Sequence, residues 1–81
     1  MDNRSDRLAP IRDARALGHA LKIYRRRDNI RQAQLAERLG TYRPNISRIE
    51  NGHAVEQLDL LFSMIRELGL EIRLEPQTRR A

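Results

Sequence analysis

At 81 residues and 9.5 kDa the chain is one small domain, too short to split into two cores or to build an elaborate active site. Apolar residues make up 40% and charged residues 33%, with Tyr24, Tyr42 and Phe62 the only aromatics, so a modest, mostly aliphatic core is expected and full disorder is not. The absence of cysteine excludes a disulfide scaffold and a thiolate zinc site, and His19 and His53 are too isolated for a metal centre, so neither metal nor cofactor is expected.

No run of about 18 apolar residues occurs, and residues 1–12 lack the apolar core of a signal peptide, so a soluble, cytoplasmic protein without membrane association is expected. A net charge of +5 points to polyanions. Residues 1–48 hold twelve Arg or Lys against five Asp or Glu, whereas residues 49–81 hold four against six. The basic half is suited to meet the polyanion, and the other half has a different task. Fifteen of the sixteen cations are arginine, which suits bidentate contacts to phosphate and guanine; a GC-rich genome gives the same excess.

In chain order, residues 1–12 mix charges with little apolar pattern and read as a flexible arm. Asp13 offers an N-cap, and Leu17, Ala20, Leu21 and Tyr24 then form an apolar stripe on a first helix ending near Arg25, Arg26 and Arg27. That arginine run serves either the helix C-terminal dipole or a phosphate. Ile30 is expected in a buried loop. A second helix spans Gln32 to Leu39 with Leu35, Ala36 and Leu39 on one face, closed by Gly40. A third runs from about Tyr42 to Glu50, with Pro44 in its first turn, Ile46 and Ile49 inward, and Asn51-Gly52 as its stop.

The fourth helix, about Glu56 to Leu68, is the most regular: Leu58, Leu61, Phe62, Ile65 and Leu68 share one face. Leu60 and Met64 lie off it, either as core margin or as a dimer contact. After Gly69, Leu70, Ile72 and Leu74 alternate with Glu71, Arg73 and Glu75 in a strand over 70–75 that Pro76 stops. A lone strand leaves its backbone groups unpaired. It either pairs with its mate in a two-fold dimer, through Leu70, Ile72 and Leu74, or remains an extended tail. Residues 13–69 then form the domain proper and 76–81 a flexible tail. The fold class expected is mainly α, with four or five helices and one short strand.

Gln32, Leu35, Ala36, Gly40, Ile46 and Ile49 fall at the spacing of a helix-turn-helix: a small residue where the helices cross, a glycine for the turn, and aliphatics fixing the recognition helix. The stretch Leu17 to Leu68, with "QAQLAERLG" and "ISRIENG", resembles the Xre family of DNA-binding domains. The resemblance implies that Gln32 and Asn51 contact phosphates, that Arg43, Pro44, Ser47 and Arg48 face the major groove with Asn45 beside them, and that Arg25 and Glu50 form a structural salt bridge. Arg31 and Tyr42 stand where relatives often carry Ser or Thr, so both helix caps are expected to be weak. On physical grounds Arg43 can present two donors to guanine O6 and N7. Arg48 reaches either a base or a phosphate, and phosphate contacts are the commoner. Lys22, Arg38, His19 and His53 are expected as surface residues and Tyr24 as core.

The motif, the basic arm and the terminal strand, with "LEIRLEP", are similar to the HipB-type antitoxins of HipA/HipB toxin-antitoxin modules. That resemblance implies a homodimeric repressor of its own operon that binds double-stranded operator DNA and a HipA-type kinase toxin. A phage-type or metabolic repressor without a toxin fits the same residues, and an RNA-binding or protein-binding module is a third class. RNA is disfavoured by the lack of a grouped aromatic platform. An enzyme is disfavoured because Ser5, Ser47 and Ser63 have no evident base and no paired acids or phosphate loop occur.

Overall fold

The computed structural model describes residues 10–53 and 56–77. Among these are four helices, α1 Ala14–Arg27, α2 Gln32–Leu39, α3 Arg43–Glu50 and α4 Glu56–Glu67. Asp13 caps α1 as expected: its Oδ1 accepts the Ala16 N–H at 2.7 Å, an interaction worth about 1 kcal/mol. The last turn of α1 carries Arg25, Arg26 and Arg27, where cations complement the negative end of the helix dipole.

All four helices close in the same way, by a backbone N–H returning to a carbonyl five residues earlier. The pairs are Ile30 to Arg25, Thr41 to Ala36, His53 to Arg48 and Leu70 to Ile65, at 2.9 to 3.2 Å. This closure needs a left-handed residue just before the returning N–H. After α1 that residue is Asn29, at φ 58°; after α2 it is Gly40, at φ 72°, which turns the chain sharply into α3.

Two apolar centres hold these elements. Buried Ala36 and Ile46 lie where α2 meets α3. On the other side of α1, Ile11, Ala20 and Phe62 form a cluster, with Ala16, Leu17, Leu58, Ile65, Ile72 and Leu74 packed against it. Between α1 and α3 the backbones approach closely at buried Gly18, where a β-carbon would stand 2.0 Å from the Ile49 carbonyl oxygen. Only glycine permits that crossing.

The two ends of the chain depart from expectation. Ile11, assigned to the flexible arm, is 4% exposed. Its N–H donates to the Ile72 carbonyl at 2.7 Å in an isolated antiparallel bridge, and the Arg66 guanidinium donates to the Arg12 carbonyl. An aliphatic side chain beside an open core is held there by burial, whatever the polarity of its sequence neighbours. Residues 1–9 of the arm and 78–81 of the tail lie outside the described residues. The strand expected over 70–75 is reduced to that single bridge at Ile72. Ile72 and Leu74 pack on the chain's own core, while Leu70, taken up by the closing turn of α4, is 61% exposed.

Several residues expected inside stand open. Ile49 is 49% and Leu39 64% exposed, because with Leu21 they line an apolar groove between α1, α2 and α3 that no described residue fills. Leu61 and Leu68 are exposed as well, Leu68 lying just past the end of α4. Ile30 and Tyr24 are half-buried, the latter with the Arg27 guanidinium 5.2 Å from its ring centroid. No helix of the described residues is long and apolar enough to cross a membrane.

Candidate nucleic-acid interface

The α2–Gly40–α3 unit presents the N-terminal end of α3 to solvent. Arg43, Pro44, Asn45 and Arg48 are exposed and Ser47 is half-buried. Asn45 Nδ2 donates to Thr41 Oγ1 at 2.7 Å, tying the first turn of α3 back to the inter-helix turn. Asn51 Nδ2 donates to Ser47 Oγ at 3.3 Å. The residues expected to face a groove are therefore spread along α3, from Arg43 at its first turn to Arg48 in its last, with Asn51 at the C-cap.

Behind this surface runs a continuous polar relay. The Arg25 guanidinium grips Glu50 in two bonds, Nε to Oε2 at 2.6 Å and Nη2 to Oε1 at 2.9 Å, and its Nη1 donates to the Ile30 carbonyl at 2.6 Å. Gln32 Nε2 donates to Glu50 Oε1 at 2.9 Å, and Gln32 Oε1 accepts from Arg43 Nη1 at 3.0 Å. One buried carboxylate thus joins the end of α1, the start of α2 and the end of α3, and through Gln32 reaches the first residue of the recognition helix.

The Arg25 and Glu50 side chains are only 10% and 4% exposed. Burial alone would push the Glu50 carboxyl up; the hydrogen bonds from Arg25 and Gln32, with the charges of Arg25 and Lys22, outweigh it and hold the group below the ordinary carboxylate range. The Glu50 bond in turn raises the Arg25 pKa against the opposing effect of burial. Both groups are charged wherever the protein is folded near neutrality.

Gln32, expected at a phosphate, is engaged at both ends of its amide in this relay, with one Nε2 hydrogen to spare. It is a bridge between Glu50 and Arg43, a role invisible to spacing because its partners lie 18 and 11 residues away. The second feature that sequence reasoning missed is Gly18; the only available signal was a glycine inside a helix, normally disfavoured there.

Neither α2 nor α3 has a side-chain cap: Arg31 and Tyr42 stand at the N-cap positions, and their side chains accept no bond from the helix. The return half of a capping arrangement exists at α2, where Gln34 Oε1 accepts the Arg31 N–H at 2.8 Å. The first N–H groups of α2 consequently lack a side-chain acceptor, whereas at the start of α3 Pro44 has no N–H and the Asn45 N–H donates to the Tyr42 carbonyl at 2.9 Å.

A family model described as a helix-turn-helix domain matches residues 16–74. The chain belongs to that helix-turn-helix family, whose members bind DNA, and the match spans α1 through the residues that bridge to Ile11. No curated protein and no solved structure matches it significantly.

Proposed function

We propose that the protein is a sequence-specific transcriptional repressor that binds a palindromic DNA operator as a dimer. The observation that carries this reading is Arg43: exposed at the start of α3, it is held by Gln32, itself anchored on a buried ion pair. A guanidinium oriented before binding loses less conformational freedom when it forms its two bonds to guanine O6 and N7. Pro44, Asn45, Ser47 and Arg48 complete the groove-facing set, with Asn51 and the Gln32 end of α2 at flanking phosphates.

Dimerisation would pair two recognition helices. In extended backbone, successive residues send their N–H and C=O groups to opposite edges. Ile72 bonds Ile11 on one edge, so residues 71 and 73 direct theirs to the other, where a second copy of 70–75 can add. Leu60, Leu61, Met64 and Leu68 leave an apolar strip on α4 beside it, an area suited to burial between subunits. The resemblance to HipB-type antitoxins extends the reading to autoregulation and to a HipA-type kinase toxin as partner, which co-purification with the product of an adjacent kinase-like gene tests.

The central reading is tested by selecting tight binders from a randomised duplex pool. A palindromic motif containing guanine is expected to emerge. Arg43→Ala should then lose about 1–3 kcal/mol on the selected duplex and relax preference at one guanine per half-site. An enriched motif read equally well by Arg43→Ala would place the recognition surface elsewhere.

A further inference from the structure

Arg43, Ser47 and Asn51 succeed one another at intervals of four, along one side of α3 and its C-cap. At the Asn51 end that side opens into a polar groove shared with α1. The α1 wall carries Arg15, His19 and Lys22, spaced so that they fall on one helix face. The two walls touch directly beyond Asn51: a β-carbon on Gly52 would lie 2.9 Å from Arg15 Cα.

The charge in this groove is basic on balance. Asp13 and Glu50 both line it: the Glu50 charge is matched by its ion pair with Arg25 and also feels Lys22, and Asp13, whose Oδ1 caps α1, is the one carboxylate left against Arg15 and Lys22. Arg15 and Lys22 form no salt bridge among the described residues. The remaining chemistry is two permanent cations, an imidazole and the Asn51 amide, all competent to donate to phosphate oxygens. Seven residues of helix separate Arg15 from Lys22, about 10 Å. That separation exceeds the spacing of neighbouring phosphates on one strand, so Arg15 and Lys22 can each meet a different phosphate.

We propose that the α1 face of Arg15, His19 and Lys22 is a second phosphate-binding surface, which takes the DNA backbone where it leaves the recognition helix past Asn51. This rests on the DNA-binding reading above and enlarges its footprint from the α2–α3 unit to the Arg15–Lys22 face of α1. The surface adds affinity without sequence preference, because phosphates carry none.

The test uses the full chain and a 20-base-pair duplex of arbitrary sequence, titrated over a salt series. Arg15→Ala/Lys22→Ala should weaken binding at least about tenfold at 0.1 M salt and make the slope of log K against log salt shallower by about 2. The ratio of affinities for selected and arbitrary duplexes should stay unchanged. Arg38→Ala, which removes an exposed cation from the far end of α2, is the control and should cost far less per charge. A folded double variant with wild-type affinity and slope, or one losing no more per charge than Arg38→Ala, would overturn the proposal. If Arg43→Ala meanwhile loses its discrimination, the recognition reading stands and only the α1 surface falls; a wild-type chain that binds no duplex would sink both.

Discussion

The two sides of α1 are held by different physics. Toward α2 and α3 the contact is polar and close: a buried arginine–glutamate pair, a glutamine bridge and a backbone crossing at Gly18. Toward α4 and the terminal segment it is aliphatic, with Ile11, Ala20 and Phe62 at the centre, a single backbone bridge at Ile72 and a row of leucines left facing solvent. Directional bonds fix one geometry, whereas apolar packing tolerates repacking with small loss. The side that carries Arg43, the residue proposed to read a base, is the one built from directional bonds. Both sides leave apolar surface uncovered, the groove of Leu21, Leu39 and Ile49 on the first and the leucines of α4 on the second, and the second, free of such bonds, is the better able to repack against a partner.

Removing the carboxylate breaks this contrast most severely. Glu50→Ala leaves a buried guanidinium unpaired and frees Gln32 and Arg43 together; a loss of about 3–5 kcal/mol is expected in urea unfolding, enough to leave so small a domain largely unfolded. On the apolar side Ile11→Ala should cost about 2–4 kcal/mol. Hydrogen exchange in that variant should accelerate in α4 while α2 and α3 keep their relative protection. Equal acceleration in all helices would show that the two sides unfold as one unit.

Acid sharpens the comparison, because the polar side is centred on a buried carboxylate with a lowered pKa. The folded Glu50 pKa lies below its unfolded value, so its contribution is present above the ordinary carboxylate range near ~4.3 and is lost as pH falls through the depressed folded value. Stability should therefore drop below about pH 4.3, with the slope diminished in a folded Glu50→Gln variant. The smallest effect is Asp13→Ala, about 1 kcal/mol from the lost N-cap, read as a fall in thermal midpoint with no change in duplex discrimination.

Local chemistry made much of the fold legible. Periodicity and end signals give α2 its full span, Gln32–Leu39, and bring the other three helices to within a residue or two, because caps and closing turns are properties of neighbouring residues. The ion pair between Arg25 and Glu50 followed from the family resemblance and is present. What escaped the sequence depends on contacts between distant segments. The burial of Ile11 needs Phe62 and Ile72; the exposure of Ile49 and Leu39 reflects a groove whose third wall no periodicity specifies; and the bridging role of Gln32 needs Glu50 and Arg43 brought together by the turn at Gly40.

The contact at Gly18 has a consequence for the orientation of the recognition helix. With a carbonyl of α3 resting against the α1 backbone, α1 acts as the stop against which α3 is set, and the missing side chain is the clearance that defines its tilt. A methyl group there cannot be absorbed by a rotamer change, since what it meets is backbone; it must push the C-terminal turn of α3 away from α1. The displacement would swing Arg43, eight residues from Asn51 at the other end of the lever, through an arc set by the length of two helical turns, about 11 Å. Position 18 is thus an alignment screw for α3, and under the proposed mode of DNA binding a substitution there would change which base step Arg43 meets while every side chain of α3 stays the same.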